Sequence, residues 1–232
     1  MTNLNLILKR IETDSKSVET PITRKNFDFK VELEIIKKIA TTFICKDFKM
    51  DKRTLEAVKL LVNYFNGHPD FEKKGYSLRK GILLAGPVGS GKSILMEIFK
   101  KYCFYKRIEP QFRIEQVDVI VDNYVQSGVP GLNLYTRNIS ERAYGNFVSK
   151  PIALCLDDLG IENEAVKHFG TEENVISKIL FYRYELFKQN TLTHGTTNLS
   201  PTLLSDKYGE RLYSRMREMF NFVPLTAKDR RK

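Results

Sequence analysis

From Val31 onward the apolar positions recur at helical spacing, with Ile35, Ile36, Ile39, Ala40 and Phe43 on one face, and predict a first helix. Asp51 stands where an N-cap belongs. Leu55, Val58, Val62 and Phe65 form the apolar stripe expected of a second helix, which Asn66 and Gly67 end. His68 to Ser77 lacks periodicity and reads as a loop. The pattern then changes: Gly81 to Ala85 is an uninterrupted apolar run and predicts the first strand. After it, helical and strand-like stretches alternate. A helix is expected from Lys92 to about Tyr105, a strand near Gln111 to Val117, and a helix from Asp118 to about Gln126. A strand at Ile152 to Leu156, a helix from Asn174 to about Lys188 and a short strand at Thr191 to Gly195 follow. Continuous apolar runs mark strands covered on both faces, so the alternation predicts an α/β fold with a parallel sheet between two helical layers.

Two segments stand outside this pattern. Residues 1 to about 30 mix charge, Thr and Asn without period, and Ser127 to Lys150 carries Gly, Pro, Asn and scattered aromatics, an irregular insertion with room for one helix. The expected division is an N-terminal arm and helix over 1–50, available to a partner, and one domain over 51–232. The opening stretch MTNLNLILKRIETDSKS meets charge too soon for a secretory leader or a membrane span, so a cytoplasmic protein without membrane contact is expected. Cys45, Cys103 and Cys155 lie far apart and share no ligand spacing with His68, His168 or His194, so neither a disulfide nor a structural metal is expected. A net charge of +10 favours an anionic partner, nucleic acid first.

The strongest chemical signal is Gly86-Pro87-Val88-Gly89-Ser90-Gly91-Lys92-Ser93, a complete G-x-x-x-x-G-K-S between a predicted strand and a predicted helix. Glycines let such a loop wrap closely, so that successive N–H groups and the positive end of the new helix surround phosphate oxygens. Lys92 is the residue to neutralise the β and γ phosphates of ATP, and Ser93 the one to place a hydroxyl on Mg2+. A second signal is the apolar run ending in Asp157-Asp158. A strand parallel to the one before the loop delivers its carboxyl end to the same sheet edge. Asp157 is then expected in the Mg2+ shell, and Asp158 is expected to orient and polarise the attacking water.

Two further segments carry candidates. Asn198, at the polar tip Thr196-Thr197-Asn198, is placed to hold that water beside Asp158, but its spacing suits a helix cap before Pro201 equally well. Arg211, Arg215 and Arg217 fall on a predicted helix, where an arginine is either a solvated side chain or a group that reaches a transferring phosphoryl from a neighbouring subunit.

Taken in order, GPVGSGKS, CLDDLG, TTNLS, YGERLYSRMREM and the terminal KDRRK resemble the DnaC/IstB-like AAA+ ATPases, which include bacterial replicative-helicase loaders and transposon helper ATPases. The resemblance spans roughly residues 50 to 232. It implies a three-layer parallel-sheet P-loop NTPase core of AAA+ type, with a short helical N-terminal extension and no full C-terminal lid domain. It assigns Asn198 to the sensor-1 position and Arg215 to the arginine finger, with Arg211 a second candidate for that contact and Arg230 or Arg231 as stand-ins for a lid arginine. It implies ATP bound between subunits of a homo-oligomer, single-stranded DNA as a partner, and a replicative helicase or a transposase as the protein served. Residues 119–148 occupy the place where initiator relatives insert a DNA-contacting element, and Tyr124, Tyr135, Arg137, Arg142 and Tyr144 offer rings and cations there, with ordinary packing favoured for each tyrosine taken singly. The expected function is an ATP-hydrolysing helicase-loader-like protein. A transposition helper, an ATP switch without useful hydrolysis and a P-loop kinase are the alternatives; the Thr-Thr-Asn tip and the arginine helix weigh against the kinase.

Overall fold

A computed structural model describes residues 27–136, 139–143, 146–150, 152–162, 166–168 and 171–226. Its strands are β1 (Gly81–Ala85), β2 (Phe112–Gln116), β3 (Ile139–Ala143), β4 (Asn146–Lys150), β5 (Ala153–Leu159), β6 (Val166–His168), β7 (Thr171–Glu173), β8 (Thr193–Thr197) and β9 (Phe220–Pro224). Five of them form one sheet in the order β2-β5-β8-β1-β9, and every neighbouring pair is parallel. The other four make two antiparallel hairpins, β3 with β4 and β6 with β7.

The helices are α1 (Phe29–Ile39), α2 (Lys52–Phe65), α3 (Pro69–Glu72), α4 (Lys92–Lys106), α5 (Val117–Ser127), α6 (Asn133–Thr136), α7 (Val175–Lys188), α8 (Pro201–Tyr208) and α9 (Glu210–Met219). They sort onto the two faces of the sheet by the period-two alternation of its strands. Ile82 and Leu84 of β1 join a core with α1, α2 and α4, whereas Leu83 joins one with α5, α7, α8 and α9. Among the described residues no helix is long and apolar enough to cross a membrane.

Local chemistry accounts for the element boundaries. Asp51 Oδ1 accepts the Thr54 N–H at the start of α2, and Gly67, with φ +64°, follows its end. The stripe on α2 is wider than the spacing suggests. Thr54, Ala57, Leu60, Leu61 and Tyr64 are buried with Val58 and Val62, while Leu55 and Phe65 are half-buried, because α1, α3 and α4 all pack on this helix. The stretch expected to be a loop contains α3, whose first residue is Pro69, a ring pre-set for a helix start. The strand expected at Thr191 begins two residues later.

The described part of the arm packs on the domain. Tyr102 donates its hydroxyl to Glu32 Oε2 at 2.7 Å, Lys106 reaches Glu32 Oε1 at 2.7 Å, and Asn66 donates to the Tyr102 oxygen at 2.7 Å, joining α1, α2 and α4. Beyond α1 the chain makes a π-helical turn, Ala40–Ile44, and leads over the sheet edge to α2.

The insertion decides between the two readings of its tyrosines. It contains a 3-10 turn at Val129–Leu132, α6 and the β3–β4 hairpin. Tyr124 and Tyr135 are 3% and 1% exposed and packed in the core, and Tyr135 also accepts a hydrogen bond from Asn123 Nδ2, so neither ring is a stacking platform for DNA. Arg137, Tyr144, Arg230 and Arg231 lie outside the described residues, as do residues 1–26.

Candidate functional site

The loop after β1 runs from Gly86 to Ser93 at the carboxyl edge of the sheet. Gly86 has no alternative: a Cβ there would lie 2.1 Å from the Leu225 carbonyl oxygen, because the chain leaving β9 is bonded to β1 through Leu225 N–H and Ala85 O at 2.7 Å. Gly91 occupies the N-cap of α4 with φ +91°, and among the described residues no side chain caps this helix. Its first-turn N–H groups therefore face the loop. Lys92 is buried to 5% exposure and donates to the carbonyls of Gly86 and Pro87 at 2.9 and 3.0 Å, so the loop closes around its own ammonium.

Two strands away, β5 carries Asp157 and Asp158 to the same edge. Asp157 is 5% exposed, and its Oδ1 accepts the Thr196 hydroxyl at 2.7 Å; the Asp158 N–H donates to that same Thr196 oxygen at 2.8 Å. The paired acids are thus held by the tip of β8. Asp158 has φ +62°, a left-handed backbone uncommon for a residue with a side chain, and the β5–β8 register slips between Leu156 and Leu159. Asn198 follows β8. It is not the cap of α8: Ser200 is, accepting the Leu203 N–H at 3.3 Å.

Lys92, Ser93, Asp158 and Asn198 line one cleft of about 780 Å³, with Val88, Gly89, Gly91, Ile94 and Ile161. That volume is in the range of small-molecule sites. Cys45, Asp47, Phe48, Lys49 and Asp51, from the connection between α1 and α2, line the same cleft. No motif marks these residues in the sequence; only the Asp51 cap hinted at their placement. Thr196 was legible only as part of a polar tip. Arg211 and Arg215 lie elsewhere, on α9. Arg211 is exposed, and the Arg215 guanidinium rests over the Phe181 and Tyr184 rings at 4.8 and 4.9 Å, beside a shallow groove of about 500 Å³.

The donor set fits a nucleoside triphosphate with Mg2+. A glycine loop wrapped on a helix N-terminus, the Lys92 ammonium, the Ser93 hydroxyl, Asp157 and Asp158 meet at one edge. Among the described residues the buried Ser90 Oγ and Asn198 Oδ1 find no hydrogen-bond partner, a costly condition that a polar ligand or water would relieve. Sheet order, loop and acids together define a P-loop NTPase fold.

No protein-family model and no curated protein sequence matches the chain. Solved structures do. The crystal structure of DnaI aligns with a TM-score of 0.55 and 20% identity over 85% of this chain and 93% of that one. The DnaC helicase loader aligns at 0.53 and 20% over 82% and 99%. The replication initiator DnaA bound to AMPPCP and single-stranded DNA aligns at 0.50 and 15% over 79% and 49%. The chain shares the fold of DnaI and DnaC.

Proposed function

We propose that the chain is a cytoplasmic, Mg2+-dependent ATPase of the DnaC/IstB-like AAA+ family that acts on DNA as a helicase-loader-like protein. The observation that carries this reading is the meeting of Lys92, Ser93, Asp158 and Asn198 in one cleft, with Asp157 buried beneath it. Lys92 exchanges the Gly86 and Pro87 carbonyls for β and γ phosphate oxygens, while the loop N–H groups and the start of α4 take the remaining negative charge. Ser93 and Asp157 are the groups that would hold Mg2+, which neutralises phosphate charge and orients the triphosphate. Asp158 accepts a proton from the attacking water, and Asn198 hydrogen-bonds and orients it. The connection from Cys45 to Asp51 also lines the cleft and is the natural wall for the nucleoside.

A trans role for Arg215 is part of this reading. Arg215 lines a groove apart from its own cleft and is partly exposed on a helix face, which supports a contact with the cleft of a neighbouring subunit in a homo-oligomer. The charge of +10 supports single-stranded DNA as the surface on which subunits gather, and the DnaA structure that aligns with this chain is itself bound to single-stranded DNA. The likeness to the DnaC helicase loader supports a replicative helicase as the partner. The reading is tested by ATP turnover against protein concentration with single-stranded DNA, duplex DNA or neither. Specific activity should climb with concentration and climb further with single-stranded DNA; a flat, DNA-indifferent rate overturns it.

A further inference from the structure

Just beyond the paired acids the chain buries a carboxylate. Glu162 is 4% exposed, although it stands in a loop whose neighbour Ile161 is 47% exposed. Burying an acid is costly unless its lone pairs are engaged. Glu162 Oε2 accepts the Gly160 N–H at 2.9 Å, and Oε1 accepts the Tyr208 hydroxyl at 2.7 Å. The Lys207 ammonium donates to the Glu162 backbone carbonyl at 2.6 Å and stands 3.9 Å from Oε1. Burial, and then the neighbouring carboxylate, hold the Tyr208 phenol well above its ordinary pKa, so it remains a donor.

The two ends of this bridge lie in functionally different places. Gly160 is two residues after Asp158, in the turn that the Thr197 hydroxyl also fastens by donating to Leu159 O at 2.7 Å. Tyr208 is the last residue of α8, and Gly209 alone separates it from α9, the helix that carries Arg211 and Arg215. We infer that Glu162 is a positioning residue that couples the turn bearing Asp158 to the root of the helix bearing Arg215, so that a subunit's own site sets the arginine it presents to its neighbour. This rests on the proposed trans role of Arg215. The physical warrant is a short chain of bonds between two sites: a displacement of the Gly160 N–H pulls on Tyr208 through one carboxylate.

Tyr208→Phe removes a single hydroxyl and keeps the ring in the core, so it tests the link at little cost to the fold; Glu162→Gln is the companion variant. Nucleotide Kd, melting temperature and turnover at saturating Mg-ATP are measured for Tyr208→Phe, Arg215→Ala and the double variant at a concentration where the wild type is oligomeric. Tyr208→Phe should hold nucleotide within about twofold of wild type while turnover falls about tenfold, the scale of a lost hydrogen bond to a charged group. In the Arg215→Ala background the same change should lower turnover no further, because the link acts through that arginine. A general structural defect would lower turnover in both backgrounds. Wild-type turnover in Tyr208→Phe, or additive losses in the double variant, overturn the coupling and leave the trans arginine standing. Wild-type turnover in Arg215→Ala instead overturns the trans reading, and the coupling with it.

Discussion

The Thr196 hydroxyl donates to Asp157 Oδ1 at 2.7 Å and accepts the Asp158 N–H at 2.8 Å, so one side chain of β8 sets both acids of β5. A hydroxyl is the only group of this size that donates and accepts at once. Thr196→Val keeps the shape and deletes both bonds, and it should raise the Mg2+ concentration needed for half-maximal turnover and lower kcat about ten- to a hundredfold. Thr196→Ser should recover most of the loss. A Mg2+ titration of ATPase activity for the three proteins decides it; equal curves for wild type and Thr196→Val would remove Thr196 from the site.

Among the described residues Lys92 is the buried ammonium that lines the cleft, and its present partners include two carbonyls of its own loop. Lys92→Ala therefore loses the charge that competes for phosphate without altering any glycine. Its Kd for ATP should rise about a hundredfold or more, the upper range for charge-assisted hydrogen bonds. Isothermal titration with ATP measures this, and an undiminished affinity would count against the cradle.

Asp158 and Asp157 should separate on substitution, because the strained backbone at Asp158 turns it into the cleft while Asp157 stays buried. Asp158→Asn should bind ATP as wild type does yet turn over about a hundred- to ten-thousandfold more slowly, the range expected for a lost general base. Single-turnover hydrolysis at saturating protein reads the chemical step, and an unchanged rate would exclude Asp158 from it.

How much of this was legible depends on range. The phosphate loop is a local property of glycines at Gly86, Gly89 and Gly91, and β1 and β5 are buried on both faces, so motif and strands could be read from adjacent residues. Alternation made a parallel sheet legible, but not the order of its strands, nor β9 at Phe220–Pro224, which no expectation included. What escaped depends on contacts across long separations. The wall from Cys45 to Asp51 has no motif because its role comes from where α1 and α2 pack. Tyr124 and Tyr135 could be read either as packed rings or as rings offered to DNA, and burial in the core with α7 and the sheet decides for packing. Asn198 was ambiguous between cap and site because both occur just before a Pro; Ser200, immediately before Pro201, takes the cap. Nothing in the sequence marks Glu162, because its partner Tyr208 is 46 positions away.

If Arg215 serves a neighbour, two impaired proteins should repair each other. Arg215→Ala subunits keep their own acids, and Asp158→Asn subunits keep their arginine. Random mixing in equal amounts would pair an intact cleft with an intact arginine at roughly a quarter of head-to-tail interfaces. Turnover in the mixture should therefore rise well above the residual rate of either protein alone. A mixture no more active than its components would leave Arg215 as a surface side chain stacked on Phe181 and Tyr184.

His194 gives the fold an acid sensitivity with a defined sign. It is buried in β8 among Phe65, Phe112 and Tyr64, and its Nδ1 accepts the Ile82 N–H at 3.0 Å, which requires a neutral ring protonated at Nε2. Burial, and then the charge of Arg183, push its pKa down from 6.5 to about 3. Between those values the unfolded chain binds a proton that the folded chain excludes, so stability is complete above the unfolded pKa and is lost as pH falls toward the folded one. The loss should approach about 1.4 kcal/mol per pH unit from this group alone. His194→Asn keeps an acceptor for Ile82 N–H but has nothing to protonate; it should be less stable at pH 7 through lost ring packing, yet its stability should fall less steeply between roughly pH 6 and pH 4.5. Urea unfolding across that range compares the slopes, and parallel lines for the two proteins would mean that His194 is not the group excluding the proton.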